Sequence, residues 1–302
     1  MAASPLPQAN RPGLGIFWML VTGILFVAVT AVVKHGAQEL PAAQSAFMRY
    51  VIGLVFLIPL FRRILAAGLT RYQVILFGWR GVAHSIGVIL WFFAMTRITV
   101  AEVTAMNYMA PIYITLGAAL FLGEKLALRR FLAIGLAFLG ALIILRPGFR
   151  ELGPGHFAML GTAVLFAISY LMAKQFSGKV SAAVIVGMLS VFCTIGLAPF
   201  AWFVWQTPTV AEVGWMALVA LLATAGHYTM TLAFAAAPVT VTQPVTYLQL
   251  IWATLLGLWV FGEPVDGWVL LGGVIILGSV TFITIREAML KRQVTASVPV
   301  EG

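Results

Sequence analysis

Apolar stretches of about 20 residues, the length that carries an α-helix across a bilayer core, follow one another almost from end to end of this chain. Short connections rich in Gly, Pro and charge separate them, and none is long and polar enough to hold a soluble domain. No soluble core can hide that much apolar surface. The chain is 62% hydrophobic and only 9% charged, with a mean hydropathy of +1.04, against roughly 25% charged residues in ordinary soluble domains. The chemistry of this protein therefore lies within or between membrane helices.

Charges, prolines and glycines divide the chain into ten expected spans: 14–34, 41–61, 73–96, 99–121, 126–146, 154–174, 180–203, 211–235, 239–261 and 266–286. Residues 1–13, with Pro5, Pro7, Arg11 and Pro12, read as a cytoplasmic tail before a retained first helix, since no small-residue cleavage site follows. Residues 287–302 read as the second tail.

The chain also repeats itself. Residues 13–34 and 153–174 align at an offset of 140 with nine identities in 22 positions, including Gly13/Gly153, Phe26/Phe166 and Lys34/Lys174. Pro59/Pro199 keep that offset, while Tyr108/Tyr247 and Gly123-Glu124/Gly262-Glu263 match at 139. Shared hydrophobicity alone does not align Gly, Pro, Lys and Glu together. The expected units are residues 14–148 and 149–286, each of five spans. Because five is odd, the second unit enters the membrane from the opposite side, so the expected fold is all-α, with ten transmembrane helices as two inverted repeats around a central cavity.

Lys and Arg fix the expected orientation. With the amino terminus inside, twelve basic residues lie in the inner connections and tails, against Lys34, Arg97, Arg146 and Arg150 outside. Both termini are then cytoplasmic, in the cell (inner) membrane. Scattered this way, the net charge of +9 signals no nucleic-acid partner. The single cysteine, Cys193, excludes an intrachain disulfide and a cysteine-based metal cluster. No metal or cofactor is expected.

The segment Ala110–Gly148, with Pro111, the Gly123-Glu124 turn, Gly135, Gly140 and Arg146-Pro147-Gly148, resembles the EamA-type domain of the drug/metabolite transporter superfamily. Residues Tyr247–Gly278 repeat its Gly-Glu turn, and Arg49 resembles the arginine common in the second helix of that family. Leu250 stands where Pro111 has its match, and Pro244 appears six residues earlier. The resemblance implies a ten-helix exporter of amino acids or other small metabolites, most similar to bacterial aromatic amino acid exporters.

A carrier of zwitterions needs polar groups for the ends of its cargo and apolar or aromatic walls for the body. Spans 3, 4, 8 and 9 offer His84, Ser85, Trp91, Asn107, Tyr108, Tyr113, His227, Gln243, Tyr247 and Trp252 as candidate substrate-binding residues. His84 and Trp91, at i and i+7, share a helix face. Each also has a packing role open to it: His84 bonded to a neighbouring group, the aromatics as core, Asn107 as interhelical glue. Pro111 and Pro244 are candidate gating kinks, since each proline frees a carbonyl in the preceding turn.

Arg49 lies roughly 12 Å into the membrane at 1.5 Å per residue. It either meets a substrate carboxylate or pairs with Glu102 or with carbonyls. Arg80, about 11 Å from the inner end of span 3, is expected to snorkel. All nine acidic residues fall near span ends or in tails, which favours facilitated efflux; coupling to protons through His84 or His227 is the alternative. Glu124 and Glu263 are expected to cap the helices that follow them. The glycines of spans 5 and 10 permit close packing, within a monomer or across a homodimer. A membrane enzyme would require two aspartates, H-E-x-x-H or G-x-S-x-G within the spans, and the sequence has none of these.

Overall fold

A computed structural model describes residues 11–58, 62, 64, 66–122, 128–149, 151–176, 180–237, 242, 245–246 and 248–296. Eleven helices are placed there: α1 Pro12–Gly36, α2 Ala42–Phe56, α3 Arg71–Met95, α4 Val100–Asn107, α5 Ala110–Leu122, α6 Leu128–Leu145, α7 Pro154–Lys174, α8 Ala182–Phe203, α9 Val210–Ala236, α10 Leu248–Phe261 and α11 Gly267–Ala296. No β-strand occurs among the described residues.

Local signals set the starts of these helices. Thr70/Gln73, Thr99/Glu102 and Thr209/Glu212 form capping boxes ahead of α3, α4 and α9, each satisfying two backbone N–H groups that the first turn leaves unpaired. Proline sits in the first turn of α1 and α7, where its missing N–H costs nothing. The expected span 99–121 is two helices, α4 and α5, parted at Tyr108-Met109. Pro111 thereby falls in the first turn of α5 instead of kinking a continuous helix, because a new start needs no N–H at that position. The last helix runs ten residues past the expected end at 286, to Ala296.

Side chains divide by face, as in α6. Leu132, Leu136, Leu139 and Leu142 are exposed at three- and four-residue spacing, while Ile134, Ala137, Ala141 and Ile144 are buried. Trp79, Val55, Trp259 and Val274 continue the exposed apolar surface on other helices. An apolar surface of that extent matches lipid. Among the described residues, five helices are long and apolar enough to cross a membrane, α1, α3, Pro154–Ala173, Val184–Phe203 and Val210–Met230. Shorter apolar helices accompany them, and the chain is a multi-pass membrane protein.

The helices of the two halves exchange partners. Helix α1 packs along α9, and α3 packs along α7; α2 lies against α8 and α9, and α6 against α11. Glycines permit these approaches. A side chain on Gly87 would collide with Phe166 across the α3–α7 seam, and one on Gly161 would collide with Leu90. Gly140 of α6 and Gly272 of α11 each sit on the other's carbonyl oxygen, so this glycine pair packs within one chain. Gly135 and Gly278 face open space instead.

Candidate functional site

Helix α3 brings Arg80, His84 and Trp91 to a seam with Phe166, Ser169 and Tyr170 of α7. The His84 ring stacks on Phe166, with centroids 4.7 Å apart and planes 23° from parallel, and its Nδ1 lies 3.1 Å from Ser169 Oγ. Tyr170 presents its edge to His84 at 6.4 Å, and Trp91 stands edge-on to Phe166 at 6.2 Å. Four rings thus meet at one seam. Trp91 Nε1 is buried there without a hydrogen-bond partner.

Two guanidinium groups lie close by. Arg80 is 4% exposed and donates from Nη1 to the Ile185 carbonyl at 3.2 Å, so it reaches back along its helix to a carbonyl of α8 and not, as snorkelling predicts, to water. Arg49 is 9% exposed and lies 4.4 Å from the Tyr50 ring centroid. Both are within electrostatic reach of His84 in α3, and Arg49 also acts on His227 in α9 and Cys193 in α8. His227 lies on an exposed face of α9, edge-on to Phe26 at 5.2 Å. Phe166 holds His84, and Phe26, its counterpart in the repeat, holds His227.

The other candidates lie apart from this seam. Ser85 turns to α8, donating to the Cys193 carbonyl at 3.3 Å where Gly196 leaves room for its hydroxyl. Tyr108 donates to the Thr246 carbonyl at 3.0 Å, tying the α4–α5 junction to the segment before α10. Tyr113 packs edge-on to Phe138 of α6 at 5.8 Å. Asn107 is half-buried with Oδ1 unpaired, and Trp252 is exposed on α10. Gln243, Pro244 and Tyr247, like Pro59 and Glu124, lie outside the described residues.

A second polar cluster occupies the end of the bundle where α1 and α3 finish and α4 and α7 begin. Lys34 Nζ is 2.7 Å from Glu263 Oε1 and donates to the Ile98 carbonyl at 2.6 Å. Glu263 Oε2 accepts from Val100 N at 3.0 Å, so this carboxylate caps α4 of the first half and not α11, the helix after it. Gly262, at φ +63°, turns the chain back, and the bare Cα of Gly257 leaves room for the Glu263 carboxylate. Glu102 accepts from Thr99 and lies 3.4 Å from His156 Nε2, so these neighbours engage the carboxylate considered for Arg49.

Further ties join the halves at this end. Gln44 and Gln206 exchange two bonds, 2.6 and 2.9 Å, and Arg146 pairs with Asp266. A cavity of about 360 Å³ opens between Lys34, Arg97, Glu102, His156, Phe261 and Glu263, and a smaller one of about 230 Å³ lies beside residues 37–42 and Arg97. Neither is lined by the aromatic seam. Sequence reasoning passed over Phe166, Ser169, Tyr170 and His156 and counted Lys34 only as an orienting charge. The Phe26/Phe166 and Lys34/Lys174 identities were the available signal.

The EamA-like transporter family matches residues 13–146 and 153–285. A riboflavin transporter of Rhizobium johnstonii is 31% identical over 296 residues, covering 95% of this chain and 96% of its own length. The pseudopaline exporter CntI of Pseudomonas aeruginosa is 27% identical, covering 87% and 93%. An S-adenosylmethionine uptake transporter of Rickettsia bellii is 25% identical, covering 92% and 97%. One solved crystal structure shares the fold, with a TM-score of 0.58 and 18% identity over 92% of this chain and 98% of that one.

Proposed function

Because the chain belongs to the EamA-like transporter family, we propose that it moves small metabolites bearing a planar ring across the cell (inner) membrane by alternating access. The family and these relatives are transporters, not enzymes. The observation that carries the choice of cargo is the seam at which buried His84 stacks on buried Phe166 with Tyr170 and Trp91 beside them. Aromatic walls favour a flat ring inserted face to face or edge to face.

Amino acids with aromatic side chains, moved outward down their own gradient, are the first cargo in this reading. Riboflavin is the second, favoured by a relative that is 31% identical over nearly the full length of both chains. Ten spans in two inverted units, 14–148 and 149–286, with short tails 1–13 and 287–302 and both termini in the cytoplasm, complete the proposal. The exchanged packing of α1 on α9 and α3 on α7 supports it, since two halves related by a pseudo-two-fold axis pack in this reciprocal way.

Counterflow in proteoliposomes, with labelled L-tryptophan, L-phenylalanine, riboflavin and L-leucine, tests this reading. Ring-bearing cargo should accumulate and L-leucine should not, equally with and without a pH gradient. Exchange of L-leucine alone would refute the ring reading, and exchange only under a pH gradient would favour the histidine-coupled alternative. In the same assay Trp91→Ala should lower flux of the ring-bearing cargo about tenfold at unchanged folded yield, the order expected when one aromatic wall is lost. Unchanged flux would make Trp91 a packing residue.

A further inference from the structure

We infer that the cargo carries a carboxylate and that Arg49 is the residue that binds it; this rests on the carrier reading above and names the chemical class of its cargo. Arg49 is nine-tenths buried in the interior between α2, α3, α8 and α9, and its Nε has no hydrogen-bond partner. Among the described residues no carboxylate forms an ion pair with Arg49 or with Arg80. Glu102, the nearest acid along the sequence reading, is engaged by Thr99 and His156.

A buried charge without a counterion is costly, and nearby groups offset it only in part. The Tyr50 ring supplies a π-face to Arg49, and the Ile185 carbonyl accepts from Arg80. Neither supplies negative charge. A carboxylate on the substrate does, and a guanidinium presents a planar fork of N–H donors that matches it. Arg80, already donating to α8, is the positioning partner that keeps the region positive.

The test is calorimetric binding to the full chain in nanodiscs, with two pairs of probes: indole-3-propionate against indole-3-propionamide, and L-tryptophan against L-tryptophanamide. Each pair keeps the ring and removes the carboxylate. The acid should bind about tenfold more tightly than its amide, the scale of a charge-assisted pair. Arg49→Gln should bring the two within about twofold, and Arg49→Lys should keep an intermediate preference because it retains charge without the fork. Equal affinities for acid and amide in the unaltered protein, or a preference that survives Arg49→Gln, would overturn the assignment while leaving the ring reading standing. Binding by none of the four probes would overturn this inference, and the ring reading would fall with it only if riboflavin also failed to bind. Where Arg49→Gln does not fold, the acid-against-amide comparison on the unaltered protein and on Arg49→Lys decides.

Discussion

Gly272→Leu should abolish recovery of the folded protein, and Gly140→Leu should do nearly the same. At Gly272 an added Cβ would meet the Gly140 carbonyl oxygen and would lie 2.7 Å from Ile144 Cγ1 and 3.2 Å from the Ile144 nitrogen. At Gly140 it would lie 2.7 Å from the Gly272 oxygen and 2.8 Å from Ile276 Cγ1. Backbone stands on both sides, so neither helix can yield by turning a side chain away. Overpacking of a close interface costs about 1–3 kcal/mol when side chains can shift, and the cost here should reach or exceed the upper end of that range. The control is on the same two helices: Gly135→Leu and Gly278→Leu meet nothing within 4 Å and should leave thermal unfolding in detergent close to that of the unaltered protein. Equal losses at all four positions would show that helix propensity or insertion, not the α6–α11 crossing, sets the stability.

Lys34→Ala and Glu263→Gln should each shift the carrier strongly toward a state open at the Lys34 end. Lys34 and Glu263 belong to opposite halves, their side chains are only 16% and 12% exposed, and Glu263 also holds the Val100 N–H. Removing one member of such a largely buried pair leaves the other charge without its partner, a loss of about 3 kcal/mol where burial is complete and somewhat less at this exposure. A change of about 1.4 kcal/mol already shifts a two-state population tenfold. Labelling of a cysteine at position 45, buried at the same end of the bundle beside residues 37–42, should therefore accelerate about tenfold or more in a Cys193→Ser background. The double exchange Lys34→Glu with Glu263→Lys should restore slow labelling only in part, because Val100 N–H then faces a cation. Labelling at the original rate in both single variants would show that the pair does not seal this end.

Much of the architecture was legible because lipid imposes a simple rule on residue type. Apolar length alone placed a helix over 126–146, where Leu132, Leu136 and Leu139 are exposed and Ala137 and Ala141 buried, and it set a start at 99, where the Thr99/Glu102 capping box lies. Glu263 shows where that reasoning stops. Its place after a glycine turn correctly suggested a carboxylate accepting a backbone N–H, but the donor is Val100, 163 residues away, and no local pattern names a distant partner. Ser85 shared a stretch with His84, yet a rotation of one residue along α3 turns it to α8 and the Cys193 carbonyl. Phe166 carried only the mark of its identity with Phe26 across the repeat, and Tyr170, an aromatic in an apolar helix, carried none. Only the partner helix, α3, turns them into a wall.

Transport by alternating access requires the two halves to part at the Lys34–Glu263 contact, and a reversible crosslink across that contact tests the requirement. Cysteines at positions 34 and 263, in a Cys193→Ser background, would be joined by a bis-methanethiosulfonate reagent while counterflow of L-tryptophan is measured. The crosslinked protein should exchange no faster than protein-free liposomes, and a reducing agent should restore the original rate. Crosslinked protein that exchanges at the uncrosslinked rate would contradict the account, because cargo would then pass while that end stays locked.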